Sequence, residues 1–339
     1  MSAAASEPTV AAGPTATTVV DLSIRERLWR SLRTAGPIFL VLAALIVAIY
    51  IKQPHYNFVS MLKSGAPLAI LAAGQLFVIV SGEIDLSVGS LITVTVSLAA
   101  SIIKGDPNLM LPVMGVLIVL GLAVGLVNGV ITTRLGVPSF VTTLGMLLIL
   151  VGAIGYITGG SPIGNLTDNF RVFGRESFNG VPIIGQLPFS VVILAVVGVV
   201  TYWLLHRTNY GRQLFAVGGN ARAAELAGIN VAVVRTIAFV LSALAAVLAG
   251  ILLGGFAGVS AQVGKGFEFQ AITAVVIGGA VLGGGRGSIP TAIAGALTLQ
   301  ALFVLLNVLG QPQPIRDTVQ GLIVIGAVAY ASYRLRRSR

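Results

Sequence analysis

The chain is dominated by apolar segments that carry almost no charge. Only 9% of its 339 residues are charged and 56% are hydrophobic, whereas a soluble globular protein has roughly 25% charged residues. A water-facing surface cannot be built from this composition, so the sequence predicts an all-α integral membrane protein that crosses the lipid bilayer many times. We expect about ten transmembrane helices, at residues 37–52, 65–82, 86–103, 109–133, 138–158, 189–206, 235–257, 269–284, 290–309 and 318–334.

The basic residues predict how these helices are oriented. Lys and Arg outnumber Asp and Glu by 21 to 11, and the cytoplasmic segments of membrane proteins carry the excess of Lys and Arg. With a cytoplasmic N-terminus, 14 of the 21 basic residues fall on the cytoplasmic side and the other seven, among them Lys265, are external. Both termini are then cytoplasmic. The basic residues are scattered between the spans, which disfavours nucleic-acid binding.

Polar stretches divide the chain around its apolar segments. Residues 1–24 have the composition of a disordered cytoplasmic tail, and residues 25–339 are expected to form a single transmembrane domain. Within that domain, residues 159–187 form a predicted external loop and residues 207–234 a predicted cytoplasmic loop. The second to fifth spans start outside and the seventh to tenth start inside, which is the topology of a four-plus-four inverted repeat.

The cytoplasmic loop contains a short helix with readable ends. Asn220 is a favourable N-cap, residues 221–227 are mostly strong helix formers, and Gly228 suits the left-handed position that follows a helix. A helix this short is marginal when isolated. We therefore expect another element or another protein to pack on it.

The segment SGEIDLSVGS, residues 81–90, places Glu83 and Asp85 inside an apolar run. Carboxylates at membrane depth are costly, and they normally face a cavity, a partner or an aqueous path. The structural alternative is a cytoplasmic turn in which Asp85 and Ser87 cap the next helix, and the two interpretations are compatible. Other polar candidates for the transport pathway or for helix contacts are Asn128, Glu268 and Asn307.

Two rows of glycines at four-residue spacing predict close helix packing, because small residues allow helix backbones to approach each other. The first row consists of Gly121, Gly125 and Gly129, and the second of Gly250, Gly254 and Gly258.

The sequence contains no recognisable catalytic, metal-binding or cofactor-binding motif. The glycines of GGGRGS, residues 283–288, lack the lysine and the spacing of a phosphate-binding loop. The chain has no cysteine and two histidines, which exclude thiolate and His-rich metal sites. We therefore expect no cofactor, no metal and no enzymatic activity in this chain, so any ATP hydrolysis would occur on a separate subunit.

Four motifs resemble, in order, those of the permease subunits of bacterial ABC importers for ribose, xylose, arabinose, galactose and related sugars. They are SGEIDLSVGS, NGVITTRLGVPSFVTTLG at 128–145, GRQLFAVGGNARAAELAGINV at 211–231, and GFEFQAITAVVIGG at 266–279 followed by GGGRGS. The resemblance implies an importer subunit in the bacterial plasma (inner) membrane, working with a second permease, a cytoplasmic ABC ATPase and an external sugar-binding protein. The third motif resembles the family's coupling loop, which implies a coupling role for Gly218, Gly219, Asn220, Glu225 and Gly228. We expect the ATPase to contact Arg222, Glu225 and Leu226.

The chain departs from the family pattern at two positions. Glu83 stands where the family usually has glycine, and Gln270 stands where it usually has aspartate. Two alternative functions remain open on the sequence. One is an ABC permease for a different cargo, such as a sugar alcohol, a nucleoside or a branched-chain amino acid. The other is a secondary transporter without an ATPase, with Glu83, Asp85 or Glu268 as an ion or proton site.

Overall fold

The computed structural model describes residues 24–160, 164–181 and 185–337. The predicted disordered tail, residues 1–24, therefore lies outside the described residues except for Ile24, where the first helix begins. The helices are α1 (Ile24–Lys52), α2 (Phe58–Val80), α3 (Val88–Ile103), α4 (Met110–Arg134), α5 (Ser139–Thr158), α6 (Asp168–Arg175), α7 (Phe189–Arg207), α8 (Asn209–Gly219), α9 (Ala221–Leu226), α10 (Val231–Ala257), α11 (Phe267–Ile277), α12 (Ile289–Val308) and α13 (Gln313–Arg337). The strands are β1 (Ser177–Val181) and β2 (Gly185–Pro188).

Six helices in the described part of the chain are long and apolar enough to cross a membrane. They are α2, α4 together with the short 3₁₀ turn before it, α5, α7, α10 and α12. Each apolar segment predicted from the sequence overlaps a helix, although α11 ends before the predicted span 269–284 does. However, α3 has 16 residues and α11 has 11, and at 1.5 Å per residue these helices are shorter than a bilayer core of about 30 Å.

The predicted external loop, 159–187, has more structure than the sequence indicated. It contains α6 and an antiparallel hairpin in which Ser177 of β1 pairs with Pro188 of β2, so the prediction of an all-α fold was wrong in this segment. One face of α6 packs on α10. Phe170 is fully buried, and a Cβ added to Gly174 would stand 2.2 Å from the carbonyl oxygen of Leu252.

The centre of the bundle is formed by α2 and α10. Every residue of α2 from Gly65 to Val80 is buried, and α10 packs on α2, α3, α4 and α6. The first glycine row fits closely against α10, because a Cβ added to Gly125 would stand 2.6 Å from the Cα of Val240. Similar contacts at Gly121 and Gly129 confirm the packing predicted for this row.

The second glycine row is only partly a packing surface. A Cβ added to Gly250 would stand 2.9 Å from the side chain of Thr95 on α3, and Gly254 also lies in the packed interior. Gly258, by contrast, follows the end of α10 with φ +79° and has open space around it. The prediction was wrong for this third glycine, because the helix ends before it.

The predicted cytoplasmic loop, 207–234, is folded into α8 and α9. The predicted short helix is confirmed as α9, and its N-cap is Asn220, whose side-chain oxygen accepts a hydrogen bond from the N–H of Ala223 at 3.0 Å. Gly228 has φ +83°, as its position after the helix requires. Sequence reasoning missed α8, which buries Leu214 and Val217.

Candidate functional site

The turn between α2 and α3 holds a buried polar cluster centred on Asp85. The Asp85 carboxylate accepts hydrogen bonds from the Ser87 N–H at 2.9 Å, the Ser87 hydroxyl at 2.6 Å and the Ser242 hydroxyl at 3.1 Å. The Ser87 hydroxyl in turn accepts from the Asn128 amide at 2.9 Å. The Gln75 amide donates to the Asp85 carbonyl at 3.1 Å. These contacts tie the turn to α2, α4 and α10.

The cluster differs from the helix cap that the sequence offered as an alternative. Ser87 occupies the N-cap position of α3 but makes no side-chain capping hydrogen bond, because its hydroxyl is engaged with Asp85 and Asn128. The turn is also fastened to α5: the N–H of Ile84 donates to the Ser139 hydroxyl at 3.2 Å. This segment is therefore a junction between several helices.

Glu83 is separate from this cluster. Its carboxylate forms a salt bridge of 2.8 Å with Arg235 in the second turn of α10, and the Glu83 and Arg235 side chains are 13% and 25% exposed. The two acids of the motif therefore have different partners, one a cation and the other a set of hydroxyl and amide groups. The salt bridge fixes the turn to the beginning of α10.

Glu268 and Asn307 lie elsewhere. Glu268 is 8% exposed in the first turn of α11 and packs against Gly89 near the start of α3, where an added Cβ would stand 1.9 Å from the Glu268 carboxylate. Its other oxygen accepts from the N–H of Gly266 at 3.3 Å. Asn307 is exposed at the end of α12. The structure thus brings together Asp85, Ser87 and Asn128. Glu83 lies on the same turn but pairs with Arg235, Glu268 lies on the adjoining helix, and Asn307 lies apart.

Six of the seven residues predicted to couple to an ATPase are exposed, and the seventh is half-buried. Asn220, Arg222, Glu225 and Leu226 are exposed, and Leu226 keeps 77% of its surface accessible. Arg222 and Glu225 form a salt bridge of 2.8 Å across one turn of α9. Gly219 and Gly228 are also exposed, whereas Gly218 is half-buried.

Gly218 connects this exposed element to the turn that carries the polar cluster. A Cβ added to Gly218 would stand 1.7 Å from the carbonyl oxygen of Val80, the last residue of α2. The same oxygen accepts a hydrogen bond from the N–H of Gly285 at 2.9 Å. Three segments therefore meet here: the end of α8, the end of α2 and the turn between α11 and α12. This contact was not predicted from the sequence. The feature that could have indicated it is the presence of consecutive glycines in both segments, at 218–219 and at 283–285.

No group of three or more His, Cys, Asp or Glu side chains that could hold a metal occurs in the described ranges.

The chain is similar to permease proteins of known transport systems. A family model described as "Branched-chain amino acid transport system / permease component" matches residues 57–328. The ribose import permease protein RbsC of Escherichia coli K12 is 37% identical over 295 residues, which cover 85% of this chain and 91% of the relative. RbsC of Bacillus subtilis 168 is 34% identical, covering 86% of this chain and 91% of the relative. The L-arabinose transport system permease protein AraH of Escherichia coli K12 is 33% identical, covering 88% and 90%. No solved structure matches the chain.

Proposed function

Because the chain belongs to the family of branched-chain amino acid transport system permease components, we propose that it is the membrane-spanning permease subunit of an ATP-driven ABC importer. It is a multi-pass protein of the bacterial plasma (inner) membrane. We further propose that about ten of its helices form the transmembrane domain, with both termini cytoplasmic and an inverted arrangement of two groups of four spans.

The proposed cargo is a monosaccharide, a pentose, a hexose or a related polyol. The relatives that match most of this chain are named for ribose and L-arabinose, although the family description names branched-chain amino acids. Relatives similar over nearly the whole chain are the more specific guide to the cargo. They favour a sugar over a nucleoside or an amino acid, and an importer over a secondary transporter.

The proposed partners are a second permease, a cytoplasmic ABC ATPase that hydrolyses ATP, and an external sugar-binding protein. The observation that carries the ATPase assignment is the exposed face of α9, with Leu226 and the Arg222–Glu225 pair. We assign Leu226 to an apolar pocket of the ATPase and the charged pair to the rim of that pocket. Asn220 and Gly228 set the two ends of the helix that presents them.

The proposed mechanism uses the contact at Gly218. Movement of the ATPase displaces α9 and α8, and because Gly218 lies against the Val80 carbonyl, the displacement reaches the end of α2. The turn that follows α2 contains Asp85, which is hydrogen-bonded to α2 and α10, and Ser87, which is hydrogen-bonded to α4. A push at the surface thus becomes a shift of several helices together, which is the rigid-body movement that alternating access requires.

The double variant Glu225→Arg/Leu226→Ala tests the coupling assignment. We expect it to insert and fold normally, because both side chains are exposed, but to lose sugar uptake and sugar-stimulated ATP hydrolysis by the assembled transporter. The matched control is Tyr156→Ala, which removes a side chain that is 92% exposed near the other end of the bundle and should leave uptake unchanged. Normal uptake by the double variant at normal expression contradicts the assignment.

Affinity purification of the tagged chain tests the partners. We expect an ATPase subunit to copurify and the eluate to hydrolyse ATP. A lone chain that moves sugar into liposomes down an ion gradient without ATP would instead support a secondary transporter.

A further inference from the structure

Lys265 is an exposed basic residue in a segment that packs against α3. It belongs to residues 258–266, which connect α10 to α11. In this segment, the N–H of Gly264 donates to the Thr93 hydroxyl at 3.1 Å, and a Cβ added to Gly264 would stand 2.1 Å from the Gly89 carbonyl oxygen. The segment therefore turns back from the end of α10 and lies against the first turns of α3.

Helix contacts give the depth of this segment. Gly250 of α10 packs on Thr95 of α3 and precedes the end of α10 at Ala257 by about 10 Å, at 1.5 Å per residue. Thr93, two residues earlier on α3, lies about 3 Å deeper by the same rise. Gly264, bonded to Thr93, is thus about 13 Å from that end of α10. Because α10 has 27 residues and is about 40 Å long, about 5 Å of each end extends beyond a hydrocarbon core about 30 Å thick when the helix is centred on it, which places Gly264 about 8 Å inside the core.

The carboxylate of Glu268 and the ammonium of Lys265 lie in different surroundings. Glu268, in the first turn of α11, is buried against Gly89 and fixes the start of α11 to α3. Lys265 is exposed, and beside it along the chain are two more exposed residues, Gln262 and Phe269, the latter 52% accessible. A charged group inside the hydrocarbon core is costly in lipid, and such groups face a water-filled cavity or the interior of an assembly.

We propose that Gln262, Lys265 and Phe269 line the aqueous path through which the sugar crosses the membrane. The inference rests on the proposed function and adds to it the residues that meet the cargo. The Lys265 ammonium and the Gln262 amide supply hydrogen bonds for sugar hydroxyls. The Phe269 ring supplies an apolar surface for the C–H face of a sugar ring, the combination of a few polar groups with an aromatic wall that small-molecule sites use.

The absence of cysteine from the chain allows a direct test by thiol labelling. Lys265→Cys and Phe269→Cys variants are produced in membrane vesicles of both orientations, assembled with their partner subunits. They are treated with a cationic, membrane-impermeant methanethiosulfonate, and the tagged chain is then purified for intact-mass measurement. The matched control is Val199→Cys, which places a thiol on the 69% exposed surface near the middle of α7.

We expect the thiols of the Lys265→Cys and Phe269→Cys variants to react at least about tenfold faster than that of Val199→Cys, because the reactive thiolate forms in water and not in hydrocarbon. The inference is overturned if they react as slowly as the control. It is also overturned if Lys265→Cys is unreactive because it has formed a disulfide with the second permease. Labelling needs no sugar, so its failure is distinct from failure of the proposed function, which would appear as absence of sugar uptake by the unmodified transporter.

Discussion

The salt bridge between Glu83 and Arg235 allows a quantitative prediction about the turn between α2 and α3. Breaking a fully buried pair by removing one partner costs about 3–5 kcal/mol, whereas a fully exposed pair contributes about 0–1 kcal/mol. The two side chains are 13% and 25% exposed, so this pair lies between those limits. We expect Glu83→Gln or Arg235→Gln to lower the free energy of unfolding by about 2 kcal/mol, or roughly 4 °C in melting temperature.

The assay is thermal unfolding of the purified chain in detergent, arranged as a double-mutant cycle. If the two residues act through their mutual contact, the variant Glu83→Gln/Arg235→Gln loses about as much stability as either single variant. The matched control is the Arg222–Glu225 pair, which has the same 2.8 Å separation but side chains that are 77% and 61% exposed. Breaking this exposed salt bridge with Glu225→Gln should lower the melting temperature by about 1 °C or less. Strictly additive losses at the Glu83 pair, or equal shifts for the two pairs, would refute the argument from burial.

Two further substitutions test the contacts on either side of that turn. Gly218→Ala should severely reduce both sugar uptake and the yield of folded protein, because the added methyl group would overlap the last carbonyl of α2. The control is Gly219→Ala. A methyl group at Gly219 would enter open space, so this variant should be close to wild type in both measurements. Asp85→Ala leaves buried hydroxyl and N–H donors without an acceptor, and at about 1–3 kcal/mol for each we expect a loss of several degrees in melting temperature. Asp85→Asn keeps one acceptor oxygen and should lose less, so an equal loss for the two variants would contradict the hydrogen-bond account.

Features of the fold that depend on neighbouring residues could be predicted from the sequence. The apolar segments coincide with helices because length and apolar composition are local properties. The ends of α9 were predictable for the same reason, since Asn220 and Gly228 act within one turn of the helix they terminate. Family motifs added the assignment of 218–228 to coupling, which stays a prediction until the ATPase contact is measured.

Features that depend on distant contacts could not be predicted in this way. Hydropathy predicted a span at 269–284, but α11 stops at Ile277. The helix cannot continue because Gly279 and Gly284 adopt positive φ angles. Glycine does not interrupt an apolar run, so the hydropathy signal extended past the end of the helix. The Asp85 cluster joins residues up to 167 positions apart, a separation at which one sequence carries no pattern. The helix α8 was missed because three of its 11 residues are glycines, which are poor helix formers.

The complete enclosure of α2 has a consequence for how the protein is made. From Gly65 to Val80 its surface is covered, mainly by α10 and α12, which are synthesised more than 150 residues later. Membrane helices insert individually and associate afterwards. The α2 helix therefore stays in contact with lipid until α10 and α12 have left the translocon. The most enclosed helix of the mature protein is thus among the first to enter the bilayer, and its surroundings are complete only after α10 and α12 have been synthesised.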